Sequence, residues 1–362
     1  MKFLKNYYLI FIAICSFFAD FSFSQAPKYS NEFLAIGVGG RALGMSNSCV
    51  ATTGDVTSGY WNPAGLLSIK NDMQFGIMHS EYFAGIAKYD YGSIARRLDS
   101  SSVFGVSLIR FGVDNIPNTT ELIDASGNVD YDKITQFSAA DYGFIISYAR
   151  ASKIKGLRLG ANAKIIRRIV GDFAGAWGFG LDAGVQYSHN GWKLAAMARD
   201  ITSTFNAWSY SLTDQMKDVF AATGNEIPTN SVEITLPRLI LGGARKFDLM
   251  KDLSMLAELN FDVTFDGMRN VLIKSDPISA DPHFGLELGY KGIAFLRGGI
   301  MNIQKEQDVT GKSITTILPT FGLGVKIKRI SIDYAKTDID DQSIALGSHI
   351  FSLRLDINKQ VK

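Results

Sequence analysis

The sequence predicts an all-β protein: a transmembrane barrel of 14 antiparallel strands with an N-terminal hatch segment in its lumen. Three observations predict this fold. Apolar and polar residues alternate over runs of ten to thirteen residues, aromatic residues fall near the ends of the apolar faces, and the connections alternate in length. A tilted membrane strand needs about 9–11 residues, whereas strands in soluble sheets are usually about five or six residues long.

The first 24 residues have the pattern of a secretory signal peptide. Lys2 and Lys5 precede the apolar run "YYLIFIAICSFF", and Ser22–Ser24 supplies small residues around a cleavage point after Ser24. Removal of this segment leaves Cys49 alone, so the mature chain has no internal disulfide. The formal net charge of +2 gives no global basic field, and no nucleic-acid partner is expected.

The alternation is clearest in two windows. In "WGFGLDAGVQYSH" the residues from Trp177 to Tyr187 place aromatic and aliphatic side chains on one face, with Gly, Asp182 and Gln186 on the other. The window "LSMLAELNFDVTF" repeats the pattern. The fourteen predicted strands are 74–83, 86–97, 102–112, 141–151, 157–169, 176–188, 191–201, 237–247, 253–265, 283–290, 293–302, 320–328, 330–336 and 349–357.

The connections between these strands follow the outer-membrane rule of short periplasmic turns and long external loops. The longest predicted loops are 113–140 and 202–236. The stretch "DNIPNTTELIDASGNVDYDKI" in the first of them is acidic and polar, with apolar Ile116, Leu122 and Ile123. These three residues are the candidate partner-binding loop, and the chain is predicted to lie in the outer membrane of a Gram-negative bacterium.

The sequence shows no constellation that indicates an enzyme or a cofactor. "GVGGRA" (37–42) matches a loose dinucleotide pattern, but no parallel α/β pattern follows it. No metal ligand spacing is found among the histidines, and the acidic run "DIDD" lacks the residues of a calcium loop. The basic run "KIIRR" (164–168) has two readings, a contact with lipopolysaccharide phosphates or an ordinary charged rim, and the second is favoured. Outer-membrane lipid remains an expected partner.

Residues 25–73 do not alternate and are predicted to form the hatch, with the barrel spanning 74–362. About eight strands already make a packed barrel interior, so fourteen strands leave a lumen that needs another filling. Asn62-Pro63 predicts a turn, Trp61 is large enough to anchor a plug, and Gly65 permits close approach of backbones.

The series "GGRALGMSNSCVATTGDVTSGYWNPAGLL" resembles the N-terminal segment of the FadL-like outer-membrane barrels. "FLAIGVGGRALGMSNSCVA" and "SIDYAKTD…LGSHIFSLRLDI" are similar to the PorV/PorQ branch of the Bacteroidetes. The resemblance implies a hatch role for a set of small, turn-forming and aromatic residues: Gly40, Gly44, Trp61, Asn62, Pro63, Ala64 and Gly65.

The resemblance leaves two functions open. PorV-like proteins belong to the type IX secretion system, where they bind secreted cargo or the translocon barrel and pass cargo to the surface attachment machinery. FadL-like proteins transport long-chain fatty acids or other hydrophobic compounds. The second function needs an apolar lumen, whereas the residues predicted to face the lumen are polar: Asp182, Gln186, Glu258, Asn260, Asp262, Arg354 and Asp356. The first function is therefore favoured.

Overall fold

The computed structural model of the protein describes residues 30–120, 122, 128–307, 311–337 and 347–358. The predicted signal peptide lies outside these ranges. None of the described helices has the length and hydropathy of a membrane-spanning helix. The strands are β1 (Met73–Tyr82), β2 (Ala87–Arg97), β3 (Ser102–Asn118), β4 (Thr135–Ala151), β5 (Leu157–Val170), β6 (Ala174–His189), β7 (Trp192–Arg199), β8 (Thr204–Tyr210), β9 (Ser231–Thr235), β10 (Arg238–Met250), β11 (Leu253–Thr264), β12 (Ser279–Tyr290), β13 (Ala294–Gln307), β14 (Ser313–Ile327), β15 (Ile330–Thr337) and β16 (Ser348–Ile357).

The described helices are few and short. They are α1 (Gly40–Leu43), α2 (Ser58–Trp61) and α3 (Asp214–Ala222), with single 3-10 turns at Glu32–Leu34, Pro63–Ser68 and Tyr131–Lys133. Of the described α-helices, only α3 lies between two strands in the chain order, and none of its residues is fully buried.

The strands close into one antiparallel ring. β1 pairs with β2 on one edge and with β16 on the other, and β5 pairs with β6. β7 and β8 lie end to end along β6, and β9 and β10 lie end to end beside them. The sixteen strands therefore occupy 14 positions around the ring, which confirms the predicted closed barrel of 14 strands.

The alternation of the sequence becomes an inner and an outer surface. Along β6, Trp177 and Phe179 are exposed on the outside, while Asp182 and Gln186 are buried on the inside. Similar exposed apolar residues recur on neighbouring strands, including Leu323, Ile332 and Leu353 in β14, β15 and β16. This outer surface suits the hydrocarbon core of a membrane, in which every strand must find its backbone partners inside the barrel.

The two ends of the barrel differ in their connections. At the end that we call the turn end, links are short, and the Asn190-Gly191 turn has positive φ at both residues, as a two-residue hairpin turn requires. The opposite, loop end carries the connections 119–134, 211–230 and 265–278.

The predicted strand ends were wrong at the loop end, where several strands continue beyond the alternating windows. β3 and β4 extend into the predicted loop 113–140 and pair around a register shift between Val113 and Ile116. The predicted loop 202–236 contains β8, α3 and β9. These stretches were missed because polar residues and bulges interrupt the apolar period that marks the rest of each strand.

Candidate functional site

Residues 30–72, which we call the lumen segment, fill the middle of the barrel. Most of this segment is buried, and three apolar clusters join it to the inner wall. Val38, Leu43 and Trp61 belong to the largest cluster, together with inward residues of β1, β2 and β3. The lumen is therefore occupied by the chain itself.

Glycines of the wall let the lumen segment approach the strands closely. A Cβ atom on Gly160 would lie 2.3 Å from the Ala64 nitrogen, and one on Gly184 would lie 2.2 Å from Asn62 Oδ1. A Cβ on Gly44 of the segment would lie 2.8 Å from the Cα of Gly322 in β14. Backbone thus packs on backbone at Gly160 and Gly44, and the Asn62 side chain packs on the backbone of Gly184, contacts that only glycine allows.

The Trp61-Asn62 pair lies at the centre of these contacts. Trp61 Nε1 donates to the Val38 carbonyl at 2.8 Å, and the ring packs edge-on against Tyr60 with centroids 4.8 Å apart. The fully buried Asn62 amide donates to the Val185 carbonyl of β6 at 3.1 Å. Its Oδ1 accepts from the Ala64 N–H at 3.2 Å and so caps the 3-10 turn that begins at Pro63.

Polar side chains of the wall satisfy the irregular backbone of the segment. Gln186 donates to the carbonyls of Val50 and Thr53, both at 3.0 Å. Glu258 is fully buried and accepts from the Ala51 N–H at 2.7 Å. The backbone N–H and C=O groups of a buried loop need hydrogen-bond partners. These inward side chains supply the partners that a neighbouring strand supplies in a sheet.

Arg199 joins the lumen segment to the point where β7 ends. Its guanidinium donates to the Tyr60 carbonyl at 3.1 Å and lies 4.5 Å from the centroid of the Tyr60 ring. Nearby, Lys164 forms a buried ion pair with Asp182 at 2.7 Å and also contacts Asp200, just beyond β7. Arg199 thus holds the segment beside the site where β7 ends, and the Lys164 pairs join β5, β6 and Asp200 of the wall there.

A charged cavity of about 400 Å³, the lower chamber, lies between the lumen segment and the turn end. Arg297 pairs with Glu287 at 2.6 Å and with Asp333 at 2.7 Å, and Arg41 of the segment pairs with Glu287 at 2.9 Å. Each of these residues lines the chamber. The lower chamber is thus walled by linked guanidinium and carboxylate groups.

Asp55 of the lumen segment contacts Arg354 on β16, the strand that pairs with β15. Burial alone would raise the pKa of Asp55. The Arg354 guanidinium and the hydrogen bonds from Thr57 outweigh that effect and hold the pKa of the carboxyl below its ordinary value. Asp55 is therefore ionised at neutral pH and tethers the segment to β16.

A second cavity of about 520 Å³, the upper chamber, lies between the lumen segment and the loop end. Nine of its lining residues are aromatic or aliphatic: Phe33, Ala35, Ile36, Leu43, Tyr82, Phe83, Phe111, Met301 and Leu318. The other six are polar or charged: Glu32, Asn47, Asp281, His283, Asn302 and Thr337. This part of the lumen is less polar than expected, because the lumen segment adds the apolar residues Phe33, Ile36 and Leu43 to the lining.

The candidate partner-binding residues are placed differently from the prediction. Ile116 is not in a loop: it lies in β3 and pairs with Phe137 of β4. Leu122 is half-buried, and its carbonyl accepts from the Asp130 N–H at 2.8 Å. Ile123 lies outside the described residues. Of the two that the structure describes, Ile116 lies in a strand and Leu122 lies in the connection that follows it.

The other charged and metal-type candidates take interior or scattered positions. Lys164 and Arg168 of the basic run point inward, where Arg168 pairs with Asp141 at 2.8 Å, and Arg167 lies on the outside over the Trp177 ring. Within the described ranges, no three His, Cys, Asp or Glu side chains cluster as metal ligands do. The acidic run "DIDD" (338–341) lies outside those ranges.

Sequence reasoning missed the partners of the lumen segment on the wall, notably Glu287, Arg297 and the glycines Gly160 and Gly184. Their signal was present as polar or glycine residues at inward positions of alternating strands. The alternation gave their side of the sheet, but their contacts depend on the path of an irregular segment.

Comparisons with known proteins agree with this architecture. The family model "Type IX secretion system protein PorV" matches residues 26–254 of the chain. No curated protein matches the chain by sequence. The Pseudomonas putida toluene transporter TodX has a similar solved structure, with a TM-score of 0.55, 13% identity, and coverage of 90% of this chain and 99% of that one.

Two further solved structures show the same fold. The Ralstonia pickettii toluene transporter TbuX aligns with a TM-score of 0.52 and 13% identity, over 89% of this chain and 99% of that one. A Pseudomonas aeruginosa FadL homologue aligns with a TM-score of 0.51 and 11% identity, over 88% and 98%. At such identities the likeness concerns the barrel fold alone.

Proposed function

Because the chain belongs to the family of the type IX secretion system protein PorV, we propose that it is an outer-membrane barrel of that secretion system. In this role it binds secreted cargo, the translocon barrel or both, and it passes cargo to the surface attachment machinery. The proposed role involves no catalysis and no cofactor.

The filled lumen is the observation that best supports this function. The lumen segment contacts the wall through glycines and through buried hydrogen bonds from Asn62, Gln186 and Glu258. A channel for folded or unfolded cargo needs an open bore, so a barrel with a packed interior suits a binding role at its surface. The cargo would then meet the loop end and not cross this barrel.

The hatch role belongs to this proposal. Gly40, Gly44, Trp61 and the Asn62–Gly65 turn are buried where the segment meets the wall, and we assign them the role of sealing the lumen. The same proposal takes residues 25–73 as the hatch, 74–362 as the barrel and 1–24 as a signal peptide cleaved after Ser24.

The loop end offers the partner surface. It combines the upper chamber with α3 and the β8–β9 hairpin, and several of its apolar side chains are exposed, including Val232, Leu236 and Met268. Contiguous exposed apolar groups mark a contact with a membrane or with another protein, and we assign those at this rim to a protein partner. Ile116 and Leu122 lie at the same end and are retained as secondary contacts.

Purification of the tagged chain from detergent-solubilised outer membranes tests this function. We expect a very large translocon barrel or secreted proteins to co-purify in stoichiometric amounts. The Gly92→Val variant should co-purify the same proteins as the wild type, because nothing lies within 4 Å of the added Cβ. Recovery of the barrel alone, under conditions that preserve other outer-membrane complexes, would contradict the proposal.

The upper chamber favours one alternative, a transporter of fatty acids or other hydrophobic compounds. Its aromatic and aliphatic lining matches the expectation for such a ligand. The charged lower chamber opposes this reading, because an apolar molecule that continued toward the turn end would meet Arg41, Arg297 and Glu287. Co-purification of fatty acid without translocon or cargo would favour the alternative.

A further inference from the structure

The β8–β9 hairpin leaves one edge of the barrel wall without a partner strand. β9 pairs with β8, and it stands at the end of the strand order within the described part of the chain. The next strand around the ring is β11, and a longer β11 would pair with β9. However, β11 ends at Thr264, which pairs with Arg238 at the start of β10. The chain turns away there into the connection 265–278.

The far edge of β9 therefore carries backbone groups that no described strand satisfies. Successive N–H and C=O groups of a strand point alternately to its two sides, so about half of those in Ser231–Thr235 face away from β8. No backbone hydrogen bond outside the β8 pairing is recorded for these five residues. Such an edge is a template for another extended chain.

The edge is held rigidly from inside the barrel. Asn206 of β8 is fully buried and donates to Ser30 Oγ at 2.8 Å and to Asn31 Oδ1 at 2.9 Å. Asn31 in turn donates to Thr235 Oγ1 at 2.8 Å. Glu233 accepts from Arg168 at 3.2 Å. Since β9 is already ordered, an added strand would not bear the entropy of ordering it.

The outer face of this edge is apolar and exposed. Val232 is 58% exposed and Leu236 is 46% exposed, and both alternate with the inward Glu233 and Thr235. Phe265 and Met268, which follow the end of β11, are exposed beside the same gap. Proteins usually protect a free edge with outward charges or a cover, whereas the outward residues Val232 and Leu236 are uncharged and no strand of the described ranges covers the edge.

We propose that the free edge of β9 binds an extended segment of a secreted polypeptide, which adds to the sheet as a strand. Backbone hydrogen bonds to the edge recognise any extended chain, and alternate apolar side chains of the segment pack beside Val232 and Leu236. The inference rests on the proposed function, because it takes its occupant from the cargo. It adds the site and the extended conformation in which cargo is held.

Hydrogen–deuterium exchange at single-residue resolution tests the edge directly. In the purified full-length barrel, we expect alternate amides of β9 to exchange quickly, while amides of the doubly paired β15 stay protected. The probe is the secreted protein identified by mass spectrometry in the purification described above. When it is added, the fast β9 amides should slow by about tenfold or more.

A crosslinking pair gives a second measurement. Val232→Cys is compared with Phe351→Cys near the loop end of β16, which is equally exposed but pairs with β1 and β15 on both edges. The native Cys49 is buried and should not be labelled. With a photoreactive thiol label, the position 232 variant should crosslink one short segment of the cargo, and the position 351 variant should not.

The outcomes separate the two proposals. If the cargo binds but leaves β9 exchange unchanged and crosslinks equally at both positions, the strand site is wrong and the secretion role stands. If all five β9 amides are protected in the isolated barrel, the edge is not free and the strand site is again wrong. If only the translocon barrel co-purifies and no cargo binds, the strand site is wrong and the secretion role stands. If neither cargo nor the translocon barrel binds, both proposals fail.

Discussion

The two chambers on either side of the lumen segment have opposite chemistry. The upper chamber is lined by side chains such as Phe33, Phe111 and Leu318, and the lower chamber by ion-paired Arg41, Glu287 and Arg297. A continuous pathway for an apolar ligand would need similar lining throughout, because a charged wall strongly disfavours an apolar passenger. The difference disfavours a continuous pathway for an apolar ligand from the loop end to the turn end.

The comparison also shows what separates the chambers. The lumen segment meets the wall mainly at glycines and buried amides, and its Asn62 contacts β6 and β7 at once. The chambers are therefore separated by close contacts between the lumen segment and the glycines and backbone carbonyls of the wall. The weak points of this separation are positions where even a methyl group would have no room.

Gly160→Val should have the largest effect, because it removes the separation between the chambers. The new side chain would collide with the backbone of Pro63 and Ala64, which cannot move as a flexible side chain can. We expect destabilisation of about 3 kcal/mol or more, with displacement of the segment. Planar-bilayer conductance should rise from a closed to an open level. Gly92→Val, on the open outer face, should remain closed, and equal conductance of both variants would contradict the close-fit seal.

Asn62→Ala should have the next largest effect. It leaves the Val185 carbonyl and the Ala64 N–H without their side-chain partner in a fully buried position. The expected loss in the free energy of unfolding is about 2 kcal/mol, measured by thermal or urea unfolding in detergent. Asn71→Ala is the matched control, since its amide contacts Asn358 at the exposed surface. A similar loss for both variants would show that the buried contacts carry no special weight.

Met301→Asp should distinguish the chambers by ligand affinity. Met301 lines the upper chamber, and a carboxylate there should weaken binding of the apolar dye 1-N-phenylnaphthylamine by about tenfold. Lys326→Asp alters the lower chamber and should leave dye binding unchanged. Fluorescence titration of the purified barrel measures both. If Lys326→Asp weakens binding as much, the chambers are not separate for an apolar ligand.

The sequence predicted the barrel well because membrane strands impose a strict period of two on the side chains. The inward positions of Asp182, Gln186 and Glu258 followed from that period alone. The lining of the upper chamber did not follow from it. Residues such as Phe33 and Ile36 come from the irregular lumen segment, whose path depends on many weak contacts.

The division of β7 from β8 was also hidden in the sequence. Asp200 and Ser203 adopt positive φ and break the pairing with β6, although neither is a glycine. Thr204 contacts Asp200 locally, whereas the contact from Lys164 comes from a residue far away in the chain. Local sequence propensity does not reveal such a long-range contact. Residues 191–236 were therefore predicted as one strand followed by a loop.

Acidification should produce the smallest effect, confined to the lower chamber. The folded pKa of Asp55 lies below the ordinary value of 3.8, so its contact with Arg354 stabilises the folded state above about pH 4. That contribution is lost as the pH falls through the lowered folded pKa, because the carboxyl then binds a proton.

Melting temperatures of the wild type should therefore decline below about pH 4 more steeply than those of Asp55→Asn, which starts lower and lacks this titration. Parallel pH profiles for the two proteins would show that Asp55 does not tether the segment. Dye binding in the upper chamber should stay constant over the pH range in which only this contact is weakened, since Asp55 does not line that chamber.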